Sequence, residues 1–378
     1  MADPARAGEA TRALHEVVGG RAERLVQEEE AGRHPSIVPS ATAYALLVRI
    51  GIIGAGALGG TFAALLDRAG HEVVVTARGA QLDAIREHGL RLEGGYGDAL
   101  ARIAALPALA EPPELAFLAV KAQDAASAAA QNAAALAGVP VVVVQNGVRG
   151  PQALREALPD SPLIGAASMI AASYLSPGVV TVTAPGVTVL ARDSASDTAL
   201  RTAADLLGSV VAVRTAPDLA GVQWSKLVVN QLNAAPAVTG IGLQEALRSA
   251  PLTAAVAAAM RETIRVARAD GVRLTGLPAL SPGLLRTLLL LPLPLAARVL
   301  RRGVLQRMGD VPNPGSTLQS IRRGRPSEID HLSGAVVEAG QRLGVPTPVN
   351  RRIVELVHRI EATGGFLPPD EAGRRLVG

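Results

Sequence analysis

The chain has 378 residues, 49% of them hydrophobic and 19% charged, which is the composition of a globular protein long enough for two domains. It contains no cysteine, so disulfide bonds, thiolate metal sites and a cysteine nucleophile are excluded. The net charge of +4 is too dilute to indicate nucleic-acid binding, and the longest apolar run, Thr287 to Ala297, is broken by prolines and cannot span a bilayer. We therefore predict a cytoplasmic protein that binds no metal, no nucleic acid and no membrane.

The first predicted segment has no clear fold. Residues 1–47 contain some helical spacing, but paired glycines and a proline interrupt it, and we predict a mobile N-terminal extension. The pattern changes at Val48, where 48–53 predicts a buried strand, 57–69 a helix and 71–75 a second strand.

The rest of the chain divides into two halves. Further strands are predicted at 115–120, 139–144, 162–166, 179–182 and 210–213. Beyond Asp218 the hydrophobic spacing is helical, with helices predicted at 222–235, 252–270, 284–307, 328–343 and 350–361. Strands that alternate with Ala-rich helices predict an α/β fold with a doubly wound, mostly parallel sheet over residues 48–217. An all-α domain is predicted over 218–378.

A glycine-rich motif follows the first predicted strand and opens the first helix. It has the pattern G-x-G-x-x-G and consists of Gly54, Ala55, Gly56, Ala57, Leu58 and Gly59. In this context the first glycine permits a tight turn, the second lets backbone N–H groups reach a pyrophosphate, and the third lets the helix lie close to the strand. The motif therefore predicts a Rossmann-type dinucleotide site rather than a glycine-rich turn without function.

The end of the second strand indicates which nicotinamide cofactor the site prefers. Sites for NAD usually place an acidic residue there to bind the ribose hydroxyls, but this chain has Arg78 and no acid. A guanidinium can form a charge-assisted pair of hydrogen bonds with a 2′-phosphate. We predict NADPH as the cofactor; the alternative is a solvent-exposed arginine at a strand end.

Two polar residues follow neighbouring predicted strands. Lys121 ends one strand and Asn146 follows the next, at the carboxyl edge where doubly wound sheets bind ligands. Both are interpreted as site residues, although Asn146 and Gly147 could also form an ordinary turn.

A polar stripe crosses an otherwise apolar predicted helix. Lys226, Asn230 and Asn233 are spaced i, i+4 and i+7, so they share one helix face. Lys121 and Lys226 are the only lysines among 37 basic residues, which favours sites where the proton of an ammonium matters. We interpret the stripe as a cleft face rather than a solvated one.

The last polar motifs lie between 315 and 330. Ser316 belongs to the segment 315–321, and Ser327 is predicted to cap a helix that Glu328 opens. Taken alone, an acid in the first turn of a helix is ordinary dipole chemistry, so Glu328 by itself indicates no site.

Together these motifs resemble those of the 2-dehydropantoate 2-reductases, also called ketopantoate reductases. The similarity runs from about Leu47 to Leu356 and includes GAGALG, VKA at Lys121, QNG at Asn146 and W-x-K-x-x-x-N from Trp224. It continues with S-x-L-Q-x-I, E-I-D and GVPTPVN near the end of the chain. The resemblance implies an NADPH-dependent oxidoreductase that reduces ketopantoate to pantoate in pantothenate and coenzyme A biosynthesis.

The resemblance also implies roles on the substrate side. Lys226 would be the catalytic proton donor to the ketone oxygen of a small 2-oxo acid. Asn146 and Asn230 would bind the substrate, and Ser316 would hold its carboxylate end. The helix stripe, and not the resemblance, adds Asn233 as a further substrate-binding residue.

Other residues resemble the cofactor contacts of the family. Besides the glycine motif, Arg78 and Lys121 would contact NADPH, and Asn146 would lie beside the nicotinamide. Glu328 would close the site near cofactor and substrate and act as a catalytic residue. Ala171 would supply a backbone contact.

Some positions depart from the family pattern and leave alternatives open. Asn233 sits one place earlier than the usual asparagine before proline, and Ser333 stands where the family has asparagine. A paralogous NADPH-dependent reductase of another 2-oxo acid therefore remains open, as does a non-catalytic NADPH-binding sensor. A homodimer is an option that the sequence does not decide.

Overall fold

A computed structural model describes residues 47–277, 280–308 and 313–378. The extension predicted for residues 1–47 lies outside this part of the chain, apart from Leu47.

The first half of the structure is built on an eight-stranded sheet. Its strands are β1 Arg49–Ile53, β2 Glu72–Thr76, β5 Ala104–Leu106, β6 Leu115–Leu118, β7 Val141–Val144, β8 Leu163–Ser168, β11 Thr188–Arg192 and β12 Val213–Ala216. The spatial order is β12-β11-β8-β7-β6-β1-β2-β5, and all neighbours are parallel except β11 and β8. Apolar strands such as β7 are buried along their whole length, as expected when helices cover both faces.

The helices of this half are α1 Ala57–Arg68, α2 Ala80–His88, α3 Ala125–Leu136, α4 Gly150–Leu154 and α5 Asp197–Gly208. Short 3₁₀ turn Ala122–Asp124 precedes α3. The predicted strand at 210–213 was placed three residues early, because Val210 and Val211 donate their N–H groups to the carbonyl of Leu207 and continue the turn that ends α5.

A second sheet of four strands was not predicted. It contains β3 Leu90–Gly94, β4 Ala99–Ala101, β9 Ala171–Ser176 and β10 Val179–Ala184, in the order β4-β3-β10-β9. The strand predicted at 179–182 exists but belongs to this sheet and not to the main one. Val180 and Val182 are buried, whereas Val179 and Thr181 are half-buried and Thr183 is exposed. Val180 packs on α1, where a Cβ on Gly60 would lie 2.7 Å from it.

The second half is helical. Its helices are α6 Leu219–Asn230, α7 Ala234–Thr239, α8 Leu243–Ala246, α9 Ala250–Ala269, α10 Pro282–Leu290, α11 Leu293–Arg307, α12 Gly315–Arg322, α13 Ser333–Leu343, α14 Pro348–Thr363 and α15 Pro369–Val377. The 20-residue α9 is the central helix, begins at the cap Ser249, and contacts α6, α11, α13 and α15. In the part of the chain that the structure describes, no helix is long and apolar enough to cross a membrane.

Three predicted helices are interrupted. The helix predicted at 284–307 is two helices, because Leu291 takes the extended conformation that a following proline favours and Pro292 has no N–H to donate. The helix predicted at 328–343 begins only at Ser333, after a 3₁₀ turn Ile329–His331, so Glu328 does not open an α-helix. The helix predicted at 222–235 passes through a 3₁₀ turn, Gln231–Asn233.

The two halves share a hydrophobic core. Ala167, Val189 and Ala216 of the main sheet belong to the same buried cluster as the apolar residues of α9. The last strand ends at Ala216 and Asp218 caps α6 through the N–H groups of its first turn. The mostly parallel sheet followed by an all-α half confirms the predicted fold class, whereas the extents 48–217 and 218–378 stay predictions.

Candidate active site

The glycine motif forms the turn between β1 and α1. Gly54 has a φ of +98°, and a Cβ there would lie 2.5 Å from the side chain of Val120. A Cβ on Gly59 would lie 2.0 Å from the carbonyl oxygen of Gly54, so α1 approaches the turn as closely as glycine allows. A Cβ on Gly56, in contrast, would meet nothing within 4 Å. The open space therefore lies at the glycine whose predicted role is to admit a pyrophosphate.

The N-terminus of α1 suits an anion. Gly56 is its N-cap, no side chain caps the helix, and its first turn contains no acidic residue. The amide groups of Ala57 and Leu58 are therefore free to bind a phosphate in the field of the helix dipole. The residues present thus fit a dinucleotide at this turn.

Gln81 buttresses the turn and was missed by the sequence reasoning. Its Nε2 donates to the carbonyl of Ala55 at 2.6 Å, and its Oε1 accepts the N–H of Gly178 at 2.7 Å. One buried side chain thereby ties the turn to the loop between β9 and β10. A polar residue in the first turn of a helix gives no local signal of such a distant partner.

Arg78 follows β2, as predicted, and has an unpredicted partner. Its Nη2 lies 3.8 Å from Oδ1 of Asp124, and both side chains are largely exposed. Asp124 ends the 3₁₀ turn after β6, on the other side of the glycine turn.

Lys121 joins the two halves of the molecule. Its Nζ donates to Oγ of Ser320 at 3.0 Å and to the carbonyl of Pro326 at 2.6 Å. Burial lowers the pKa of Lys121, and the nearby Arg323 lowers it further, while Glu328 opposes both effects. About 200 residues separate Lys121 from these partners in the sequence, which explains why sequence patterns did not reveal them.

Glu328 also bridges the halves. Its Oε2 accepts a hydrogen bond from Nδ2 of Asn146 at 2.9 Å, and its Oε1 accepts the N–H of Ala122 at 3.2 Å. The loop that carries it is held from behind, because Oε1 of Glu361 accepts the N–H of Ser327 at 2.8 Å. Oγ of Ser327 in turn accepts the N–H of Ile329 at 3.3 Å. The carboxylate of Glu328 is thus fixed at the carboxyl edge of the main sheet.

Lys226 is buried in α6 with only 8% of its surface exposed. Burial lowers its pKa from 10.5 to about 8, and the negative charge of Glu328 partly offsets that effect. Within the described part of the chain no hydrogen bond or ion pair holds its ammonium. The ammonium is therefore within the electrostatic range of Glu328 and has free donors for a ligand.

The polar stripe ends at Asn233, which faces α12. Asn230 is half-buried on the same side of α6 as Lys226. Nδ2 of Asn233 lies 3.4 Å from Oγ of Ser316, and Gly315 packs so closely that a Cβ there would lie 2.7 Å from Oδ1 of Asn233. The structure thus brings Asn233 and Ser316 together, as expected for one cleft wall.

Ala171 lies in the smaller sheet, and none of its hydrogen bonds among the described residues involves another site residue. It begins β9 in the smaller sheet, and its carbonyl accepts a hydrogen bond from Oγ1 of Thr183 at 3.1 Å. Tyr174 on the same strand accepts a hydrogen bond from Arg323, whose guanidinium also lies 5.7 Å from the Tyr174 ring centre. Arg323 connects this strand to the segment that contacts Lys121.

A hydrophobic cluster lies beneath the site. Trp224 is buried and packs with Leu227 from α6, with Leu332 and Val336 around the start of α13, and with Val148 from the loop after β7. The three segments that carry Lys226, Glu328 and Asn146 therefore share one apolar base. Among the described residues, no group of three or more His, Asp or Glu side chains could hold a metal ion.

Comparison with known proteins places this arrangement in a class. The family model for ketopantoate reductase PanE/ApbA matches residues 50–194, and the model for the C-terminal part of the same family matches residues 218–361. The 2-dehydropantoate 2-reductase of Archaeoglobus fulgidus is 28% identical over 317 residues, which cover 83% of this chain and 98% of that protein. The corresponding protein of Pyrobaculum aerophilum is 30% identical and covers 82% of this chain and 97% of its own length.

Solved structures agree with the sequence relatives. A PanE/ApbA family ketopantoate reductase from Ralstonia eutropha JMP134 superposes with a TM-score of 0.70 at 31% identity, covering 83% of this chain and 98% of that one. A D-mandelate dehydrogenase solved with NADH and anilino(oxo)acetate has the same TM-score at 21% identity and covers 83% and 99%, so it shares the fold.

The fold and the family matches define an oxidoreductase that uses a nicotinamide dinucleotide, which confirms the predicted enzyme class. More specifically, the chain belongs to the ketopantoate reductase family, whose cofactor is NADPH. The family that the sequence motifs resembled is therefore confirmed.

Proposed function

We propose that this chain reduces 2-dehydropantoate to pantoate with NADPH, the step that supplies pantothenate synthesis, and that Lys226 is its proton donor. The names of the relatives support the substrate. The observation that carries the chemistry is the buried ammonium of Lys226, which has no partner of its own in the described residues and lies near Glu328. A small-molecule 2-oxo acid fits this role because its ketone oxygen needs a proton during reduction.

The cofactor side of the proposal rests on the turn after β1. The uncapped N-terminus of α1 and the open space at Gly56 would hold the pyrophosphate, and Arg78 would bind the 2′-phosphate. Lys121, Asn146 and the backbone of Ala171 complete the proposed contacts. When bound, NADPH supplies the hydride for C2 of the 2-oxo acid.

The substrate side follows from the polar groups between the halves. The ammonium of Lys226 would stabilise the negative charge that grows on the ketone oxygen and donate its proton, an effect of about 10²–10⁴ in rate. With a pKa of about 8 it is mostly protonated at neutral pH, yet it releases the proton more readily than an ordinary lysine. An arginine could not take this role, because a guanidinium keeps its proton.

The remaining residues orient the substrate. Glu328 would keep Lys226 charged while holding Asn146 in place, and Asn146 and Asn230 would align the 2-oxo acid with the cofactor. Ser316 and Asn233 would bind the carboxylate end. Ser333 has no place in this set, because its Oγ donates to Oε1 of the buried Gln231 at 3.0 Å.

The test is oxidation of NADPH by the purified chain with ketopantoate and with a panel of other 2-oxo acids of varied side chain. A kcat/KM for ketopantoate well above the panel supports the proposal. Turnover of other 2-oxo acids only would contradict ketopantoate as the substrate but would leave the proposed reaction type intact. The position of Asn233, one residue earlier than in the family, would then be attributed to a different substrate specificity. NADPH binding without any turnover would favour a sensor.

Location and assembly remain predictions. The cytoplasmic location rests on the sequence alone, and the homodimer is an option that the sequence leaves open. Size-exclusion chromatography with light scattering measures the second directly.

A further inference from the structure

The ion pair between Arg78 and Asp124 reaches across the phosphate turn. In the main sheet β1 lies between β2 and β6. Arg78 follows β2 and Asp124 follows β6, whereas the turn 54–59 follows β1. A contact of 3.8 Å between Nη2 of Arg78 and Oδ1 of Asp124 therefore joins the two sides of the place where the dinucleotide binds.

Asp124 turns away from the contact that its position would normally give it. It is the N-cap of α3, where an aspartate usually accepts an N–H of its own helix, but here it makes no such capping hydrogen bond. Its carboxylate faces Arg78 instead and also acts on Lys121, whose pKa it raises as a lesser effect than burial and Glu328. Both members of the ion pair are exposed, so a ligand in the turn can reach them.

From this geometry we propose that Asp124 sets the preference of the chain between NADPH and NADH, by competing with the 2′-phosphate for Arg78. The proposal rests on the proposed NADPH site and adds a residue that opposes it. Binding of NADPH separates Arg78 from Asp124 and leaves the carboxylate close to a phosphate of the same sign. Binding of NADH involves no such replacement, because its ribose carries a neutral 2′-hydroxyl.

The size of the effect follows from Coulomb's law. Because Nη2 of Arg78 lies 3.8 Å from Oδ1 of Asp124, a 2′-phosphate held by Arg78 would lie within about one Debye length of that carboxylate, and in solvent at moderate salt the repulsion would weaken binding by roughly threefold to tenfold. The same carboxylate has little effect on NADH, which has no charge at that position. Removal of the Asp124 charge should therefore widen the ratio of the two affinities by this factor.

An ordinary surface ion pair would behave differently. Such pairs contribute little to stability and would leave both cofactors equally affected. The ratio of NADPH to NADH affinity, and not the affinity for either one, separates the two interpretations.

The experiment is isothermal titration calorimetry of the full chain with NADPH and with NADH, at low and at moderate salt. It compares the unchanged chain with Asp124→Asn, Arg78→Ala and the double variant. Asp197→Asn is the matched control. This variant removes the same charge from an ion pair with Arg192. Asp197 follows β11, and because β11 runs antiparallel to β8, Asp197 lies at the edge of the main sheet opposite to the one that carries Arg78 and Asp124.

We expect Asp124→Asn to tighten NADPH by about threefold to tenfold and to change NADH by less than about twofold, with the gain reduced at moderate salt and in the Arg78→Ala background. Asp197→Asn should change neither. Equal changes for NADPH and NADH, or an identical gain with and without Arg78, would overturn the proposal. The titrations contain no 2-oxo acid, so failure to reduce ketopantoate leaves their outcome intact. Absence of binding of either cofactor would overturn this role and the proposed function together.

Discussion

Replacing Lys226 with methionine should stabilise the protein at neutral pH while removing its proposed proton donor. Methionine keeps the length and apolar contacts of the lysine stem but carries no charge. The pKa of Lys226 is lowered from 10.5 to about 8, chiefly because burial disfavours the charged form. At about 1.4 kcal/mol for each pH unit, this difference corresponds to about 3 kcal/mol of destabilisation that the protonated lysine imposes on the folded state.

The pH dependence has a defined sign. Below about pH 8 both the folded and the unfolded chain hold the proton, so the full penalty is present. Between about pH 8 and 10.5 the unfolded chain binds more protons than the folded one, and the free energy of unfolding of the unchanged protein therefore rises with pH. Above this window the penalty is gone.

The measurement is urea unfolding of the unchanged protein and of Lys226→Met from pH 7 to 10.5. The variant should be more stable by about 3 kcal/mol at pH 7, and the gap should close as the pH approaches 10.5, since other titrating groups affect both proteins alike. Arg265→Met, at an exposed position of α9, controls for loss of a cation and should give a gap that does not change with pH. A constant gap for Lys226→Met, or a less stable variant at pH 7, would refute the buried charged lysine.

Three further predictions follow from the site. The kcat/KM of the reductase reaction should fall as the pH rises above about 8, because Lys226 then loses the proton that it donates. Lys226→Arg should keep NADPH binding, measured by calorimetry, but lose turnover; near-normal turnover would rule out the role of Lys226 as the acid. Gly59→Ala should lower the free energy of unfolding by about 3 kcal/mol, because its Cβ would collide with a backbone carbonyl. Gly56→Ala should fold normally and weaken only the binding of NADPH, which thermal melts with and without NADPH would reveal. Glu361→Ala should lower kcat/KM several-fold, because the N–H of Ser327 loses its acceptor. Glu361→Gln should keep most of the activity, because its amide oxygen still accepts that hydrogen bond; equal losses in both variants would contradict this positioning role.

Much of the fold could be predicted because its signals are local. The turn 54–59 needs glycine for reasons that lie within a few residues of it, and the buried parallel strands are short apolar runs. Pro292 is a local signal as well, and its effect on the backbone outweighs the apolar spacing that predicts one continuous helix over 284–307.

The second sheet could not be predicted because its pairing is distant. β3 and β10 pair in parallel although about 90 residues separate them, and β4 is only three residues long. Short strands of mixed polarity carry little periodic signal, and tertiary pairing decides their structure.

The candidate site shows the same division. The types of the site residues and their order along the chain could be predicted from sequence motifs. The partners of Lys121, Glu328 and Gln81 could not, because they lie far away in the sequence. Asp124 gave no signal either, since an aspartate before a helix normally indicates a cap.

Trp224 gives the molecule a built-in optical reporter. It is the only tryptophan in 378 residues, and it is buried in the cluster where the segments bearing Lys226, Glu328 and Asn146 meet. Any steady-state or stopped-flow change in tryptophan emission therefore comes from this one junction. Assembly and separation of the three segments can be followed in real time without a label, and with the surface chemistry of the protein left untouched.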